Sequence, residues 1–219
     1  MIVKDFREKF YEIIDGESFL FPSDTICENL TTGKLLIPLH DYVSKNKLGF
    51  IFMHLVFKLP DGNTVIPNLI FIGSYKEKLL ETNPDDTFQG VPDMVVEIFS
   101  RSTMKRDMTI KKDIYGVPDM VVEILSRSTK KRDITIKKDT YERNGVREYW
   151  IIDPWIKSVA VYLLRDGKYF LDDEYILFGE NEFEKLNDAE KADVKHEVPV
   201  AVLDGLKIPL KYIFKWGYR

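Results

Sequence analysis

Two glutamates stand where an apolar side chain would be expected. Glu97 and Glu123 each lie inside a run, Met-Val-Val-Glu-Ile followed by Phe or Leu, that otherwise reads as a strand buried on both faces. Taking an ionised carboxylate out of water costs several kcal/mol unless it is paired, so each of them needs a metal ion, a lysine or a hydrogen-bond network beside it. Each is followed by Ser-Arg-Ser-Thr and then by a lysine-rich stretch, with Lys111 and Lys112 after Glu97 and Lys137 and Lys138 after Glu123. The two settings are copies of one segment. Residues 90–115 and 116–141 are a tandem repeat that differs only at Phe99/Leu125, Met104/Lys130, Met108/Ile134 and Ile114/Thr140.

The repeat carries a net charge of +3, which leaves −7 for the rest of a chain whose net charge is −4. Positive charge beside buried glutamates suits phosphate, although a solvated helix face of mixed charge would read the same way. With 219 residues, 44% of them apolar, the chain can bury a substantial core and is most simply one domain over residues 1–219. No apolar stretch is long enough to span a bilayer, and the first sixteen residues are too charged for a signal peptide, which points to the cytoplasm and to no membrane partner. Cys27 is the single cysteine, and with His40, His54 and His196 scattered it cannot build a zinc site of the usual spacing. Any bound metal is expected to be held by oxygen.

The elements that must position these residues read as follows. Residues 6–14 form a short helix or an extended lead-in ending at Asp15-Gly16, and Ser23 or Asp24 caps a helix that runs to Asn46. Residues 49–59 and 64–72 form two strands around Asp61-Gly62. Each repeat unit is a strand, a turn and a helix; in the second copy the strand spans 120–125 and the helix about 131–143, with Gly145 as its left-handed cap. Residues 148–152 and 158–164 are strands, with a turn at Asp166-Gly167. The acidic residues 172–193 lie at the surface, and 198–203 form a strand before a turn at Asp204-Gly205.

The second copy with its continuation, PDMVVEILSRSTKKRDITIKKDTYERNGVREYWIIDP, resembles the signature block of the Uma-two family of restriction-endonuclease-like proteins in the PD-(D/E)XK nuclease superfamily. YEIIDG at 11–16 and VAVLDGLKIPLKYIF near the end fall in that family's order, so the resemblance covers most of the chain. It implies an α/β (α+β) fold, a mixed sheet flanked by helices, with a divalent ion, Mg²⁺ or Mn²⁺, between adjacent strands. It also implies a DNA substrate and a homodimer. By position Glu123 is the second acid, Leu125 replaces the superfamily lysine, and Lys137 on the following helix takes over its part. Glu12 matches an acidic position near the site. The metal-binding aspartate of the preceding strand is here Asn68, which offers an oxygen without a charge.

Phosphodiester hydrolysis needs a hard cation to neutralise phosphate and acidify a water, with a lysine to stabilise developing charge. Asp119 and Glu123 cannot form the ligand pair, because four residues of strand separate them by about 13 Å, so the partner ligand must come from a neighbouring strand. Copy two, joined directly to GVREYWIID, is expected to hold the family's positions, and copy one to pack loosely at an edge. In the alternative, strands 91–99 and 117–125 pair in parallel and Glu97 lies one strand from Glu123, where the two share an ion. Two functions remain open at this point: a metal-dependent endonuclease using Glu123, Lys137, Asn68, Glu12 and Glu97, or an inactive relative that binds DNA or protein through the same surface.

Overall fold

Runs of β-branched and aromatic residues can bury both faces only inside a sheet, and the chain builds one from them. The computed structural model describes residues 11–14, 17–20, 26–58, 64–81, 88, 90–99, 117–126 and 131–215. In chain order, β1 (Tyr11–Ile14), β2 (Glu17–Leu20) and α1 (Ile26–Lys45) precede β3 (Gly49–Met53), β4 (Phe57–Lys58), β5 (Thr64–Val65) and β6 (Leu69–Gly73). After the short α2 (Glu77–Glu81) come β7 (Met94–Phe99), β8 (Met120–Leu125) and α3 (Lys131–Asn144). Next follow β9 (Glu148–Asp153), β10 (Ser158–Arg165) and β11 (Lys168–Ile176), then the short helices α4 (Glu180–Phe183) and α5 (Asp188–Asp193). Last come β12 (Glu197–Pro199), β13 (Lys207–Pro209) and α6 (Leu210–Phe214).

Seven of these strands form one mixed sheet in the order β11-β10-β9-β8-β7-β6-β3, flanked by helices, which is the architecture that the resemblance implied. Its centre is parallel, β7 with β8 and β8 with β9, and its flanks are antiparallel. Copy one does not sit loosely at an edge: its strand β7 lies in the middle of the sheet, between β6 and β8. The reason is burial. Met94, Val95 and Val96 are at most 8% exposed there, and fully burying each such side chain stabilises by about 1.5–3 kcal/mol. The helix expected within copy one falls outside the described residues, as do the first ten residues and the caps Ser23 and Asp24.

The expected hairpin around Asp61-Gly62 divides between two sheets. β3 pairs β6 in the large sheet, whereas β4 pairs β5 in a four-stranded sheet of order β2-β1-β5-β4. The arms bend at His54, which adopts a φ of 51° and donates its backbone N–H to the Asn68 carbonyl at 3.3 Å. Residues 11–14 take the extended alternative. Helix α1 continues through Pro38 and ends in a left-handed Lys47, with Leu48 N–H returning to the Val43 carbonyl at 2.9 Å. Helix α3 ends alike at Gly145, with a φ of 84° and Val146 N–H on the Tyr141 carbonyl at 3.1 Å.

The sheet has two unlike faces. On one, Leu69, Phe71, Val96, Val122 and Trp150 pack with Leu35, Leu39 and Val43 of α1 and with Ile213 of α6. On the other, Val121, Leu125, Tyr149 and Ile151 pack under Tyr141 of α3, while Ile70, Ile72 and Val95 form a smaller cluster. Residues alternate faces along a strand, so Asn68, Glu97 and Glu123 all belong to this second face.

Candidate active site: a row of polar side chains across three strands

Strand register aligns the three residues. Glu97 lies directly opposite Glu123 in the parallel β7–β8 pair, and Glu123 opposite Ile151 of β9. β6 runs antiparallel to β7 with Leu69 opposite Val96, and extending that register by one residue sets Asn68 opposite Glu97. The row Asn68, Glu97, Glu123 therefore crosses three neighbouring strands on the α3 face, with Glu97 in the middle. All three are buried, at 3%, 6% and 0% exposure.

The carboxylate of Glu123 is held by α3. Lys137 Nζ donates to Oε1 and Oε2, both at 2.8 Å, and the Tyr141 hydroxyl donates to Oε1 at 2.7 Å. Lys137 and Tyr141 are four residues apart, so one face of the helix presents both to the strand. The β-branched residues Ile134, Thr135 and Ile136 do not prevent this helix, because Ile134 packs into the cluster under it. At 1% and 0% exposure, Lys137 and Glu123 form a dry ion pair, which is what a buried glutamate requires. Behind it, the Tyr141 ring lies tilted against Tyr149 at 5.1 Å, Tyr149 stacks on Tyr162 and Tyr169, and Lys138 Nζ lies 3.9 Å from the Tyr162 ring centre.

The structure therefore brings together Asn68, Glu97, Glu123 and Lys137. It does not set Glu123 beside Asn68, because Glu97 of copy one occupies the neighbouring place that copy two was expected to fill. Glu12 lies on β1 in the four-stranded sheet, outside the row. Asp119 stands just before β8 and pairs with Arg147 Nε at 3.4 Å.

Two further acids have roles that sequence reasoning missed. Asp93, the copy-one counterpart of Asp119, accepts from Gly73 N–H at 2.8 Å, Lys76 Nζ at 2.7 Å and the Tyr75 hydroxyl. Burial pushes its pKa up, but the Lys76, Tyr75 and Gly73 donors outweigh this and hold it below the ordinary carboxyl value. Glu148, at 1% exposure, accepts from Trp150 Nε1 at 2.8 Å and from the backbone N–H groups of Ala201 at 3.2 Å and Val202 at 3.1 Å. Desolvation dominates there and raises its pKa despite those three donors. This capture also explains why β12 stops at Pro199 instead of running on to Leu203. The only sequence signal for it is the acid opening an apolar strand.

Among the described residues no group of three His, Cys, Asp or Glu is placed to hold a metal ion. The row offers two carboxylates and one amide oxygen, a donor set that suits a hard divalent cation once the amide is counted. Among the described residues, too, no helix is long and apolar enough to cross a membrane.

The profile of a family described as "Uma2: Putative restriction endonuclease" matches residues 2–117 and again residues 115–188, and the two matches meet where the two copies of the repeat join. The fold is similar to that of a crystal structure described as "a putative nuclease belonging to DUF820 from Anabaena variabilis ATCC 29413". The two superpose with a TM-score of 0.55 at 15% identity, over 95% of this chain and 92% of the other. No curated protein matches the chain.

Proposed function

The chain belongs to the Uma2 family, and on that premise we propose that it is a nuclease that hydrolyses phosphodiester bonds in DNA with a divalent cation, Mg²⁺ or Mn²⁺. The observation that carries this reading is the row of Asn68, Glu97 and Glu123 with Lys137 fixed against it. A cation bound at those oxygens would neutralise phosphate charge and acidify a water. Lys137 supplies a fixed positive charge beside the row, opposing the negative charge that grows on a phosphate as its bond breaks. Asn68 contributes an oxygen without charge, so the ion is held more weakly than an aspartate would hold it. Glu12, on β1 of the four-stranded sheet, is assigned no step in this reading. Cutting both strands of a duplex takes two such sites, which a homodimer in the cytoplasm would supply.

Nicking of supercoiled plasmid in Mn²⁺ tests the proposal. Wild type is expected to cut, Asn68→Asp to cut roughly tenfold faster, and Glu97→Ala and Glu123→Ala to fall to background. A second reading draws on the amide at Asn68 and on the sealed Glu123–Lys137 pair: a module that binds DNA without cutting it. Salt-sensitive DNA retention with no nicking by wild type or by Asn68→Asp would put that reading in place of the nuclease.

A further inference from the structure

Helix α1 turns its inner face to the sheet, where Leu35, Leu39 and Val43 pack, and a surface helix ordinarily carries polar residues on the opposite side. Here the first three turns of that outer side are apolar. Ile26, Leu30 and Ile37 are 82%, 42% and 45% exposed, and they share one stripe with Gly33 at steps of four, three and four residues. Polar residues return to it only at His40, Asp41 and Ser44. No described atom lies within 4 Å of where a Cβ of Gly33 would stand. Glycine inside a helix is about 1 kcal/mol less favourable than alanine, so neither the exposed isoleucines nor this hollow is what solvation alone favours.

The spacing indicates the occupant. Steps of four, three and four read alike in both directions, so a two-fold axis midway between Leu30 and Gly33 sets an antiparallel copy of the helix against the first with every position matched. Leu30 of each copy then enters the hollow at Gly33 of the other, and Ile26 meets Ile37. None of the four is charged, so no like charges oppose each other at the centre of the contact, and Lys34 Nζ lies to one side, 5.4 Å from the Tyr212 ring centre. We propose that this stripe is the surface through which two copies of the chain form a symmetric dimer, α1 against α1. The helix covers the face of the sheet opposite the Asn68, Glu97 and Glu123 row, so the contact leaves the row of each protomer facing away from it. The proposal takes no support from the nuclease reading and holds equally for a protein that only binds DNA. One helix face per protomer is at the small end of specific interfaces, which sets the dissociation constant on the order of 1–100 µM.

Sedimentation of the full chain at roughly 1 to 200 µM reads the association directly, and wild type is expected to pass from monomer to dimer across that range. Leu30→Glu sets two carboxylates in the contact and Gly33→Leu fills the hollow, so each is expected to weaken association at least about tenfold. Gly33→Leu also gains helix propensity at a position with open space, so its melting temperature at the dilute end should hold or rise, which a defect of folding would not allow. Mixing reads the register. With Cys27 replaced by serine, Ile26→Cys and Ile37→Cys chains should form a disulfide when mixed and neither should do so alone, since like positions lie about 16 Å apart along the helix axis. A wild type that stays monomeric throughout overturns the proposal, as does a dimer that survives either Leu30→Glu or Gly33→Leu. Failure of the mixture to crosslink overturns the antiparallel pairing. A protein that dimerises in this way yet cuts no DNA supports the interface and removes the nuclease reading alone.

Discussion

Donors, more than depth, decide how each buried acid of this protein behaves. Glu123 and Glu148 are equally sealed, yet one faces an ammonium and a tyrosine hydroxyl and the other only neutral N–H groups. Asp93 and Asp119 occupy the same place in two nearly identical segments, yet the first collects three donors and the second an exposed arginine. Stability against pH should register these differences with opposite signs. The pKa of Asp93 is depressed on folding, so its contribution is present above the ordinary carboxyl value and is lost as pH falls through the lowered one. The pKa of Glu148 is raised, so its contribution is complete below the ordinary value and declines as pH rises through the raised one. Urea midpoints from pH 3 to 8 check both. The gap between wild type and Asp93→Asn should narrow toward acid, and that between wild type and Glu148→Gln should narrow toward neutral pH. Gaps that stay flat across the range would contradict the assigned shifts.

At the scale of elements, the decisive event is the insertion of a whole strand into the middle of a sheet. Because β7 and β8 share the sequence Met-Val-Val-Glu-Ile, β6 meets the same edge residues whichever copy adjoins it. Paired cysteines report which one does. With Cys27 replaced by serine, Asn68→Cys with Glu97→Cys should form a disulfide, whereas Asn68→Cys with Glu123→Cys should not, the latter pair lying beyond the roughly 7 Å limit between Cα atoms. Deleting residues 90–115 removes Glu97 and should bring Asn68 opposite Glu123, so that Asn68→Cys with Glu123→Cys now forms the disulfide; its failure to form there would count against the register. This is also where the sequence ceased to be readable. Strand 120–125 and the helix ending at Gly145 were legible because a β-branched run and a left-handed glycine are local signals. Strand order was not, since identical segments carry no information about which lies inside. Lys137 at the site followed from the family resemblance and Tyr141 lies one turn further along the same helix, but that both donate to Glu123 emerges only from the structure. β11 was read as an acidic surface because Asp172, Asp173 and Glu174 sit on a sheet edge, where alternation is lost. Glu148 was illegible because two of its three donors are backbone groups more than fifty residues away.

Viewed whole, the molecule is a parallel centre guarded by antiparallel flanks, with the hairpin of β10 and β11 on one side and β6 and β3 on the other. Helices α1 and α6 seal one face, and α3 covers the Glu123 region of the other. The positive charge of the repeat thus belongs to the segment that builds the centre, within a chain that is acidic overall. The central pair has a consequence for colloidal behaviour. Two identical apolar segments stacked parallel and in register have the geometry of an amyloid protofilament, which any number of further copies could extend. In the sheet β6 and β9 bound the pair, and in the isolated segment the acid at its midpoint opposes stacking, since each added layer sets another carboxylate upon the last. A synthetic peptide spanning residues 119–126 should accordingly stay dispersed at neutral pH, and the same peptide with Glu123→Val should form thioflavin-positive fibres. Fibres from the unsubstituted peptide at neutral pH would show that the glutamate is no gatekeeper. On this reading the glutamate of the candidate site is also what opposes a third copy of the duplicated β-strand.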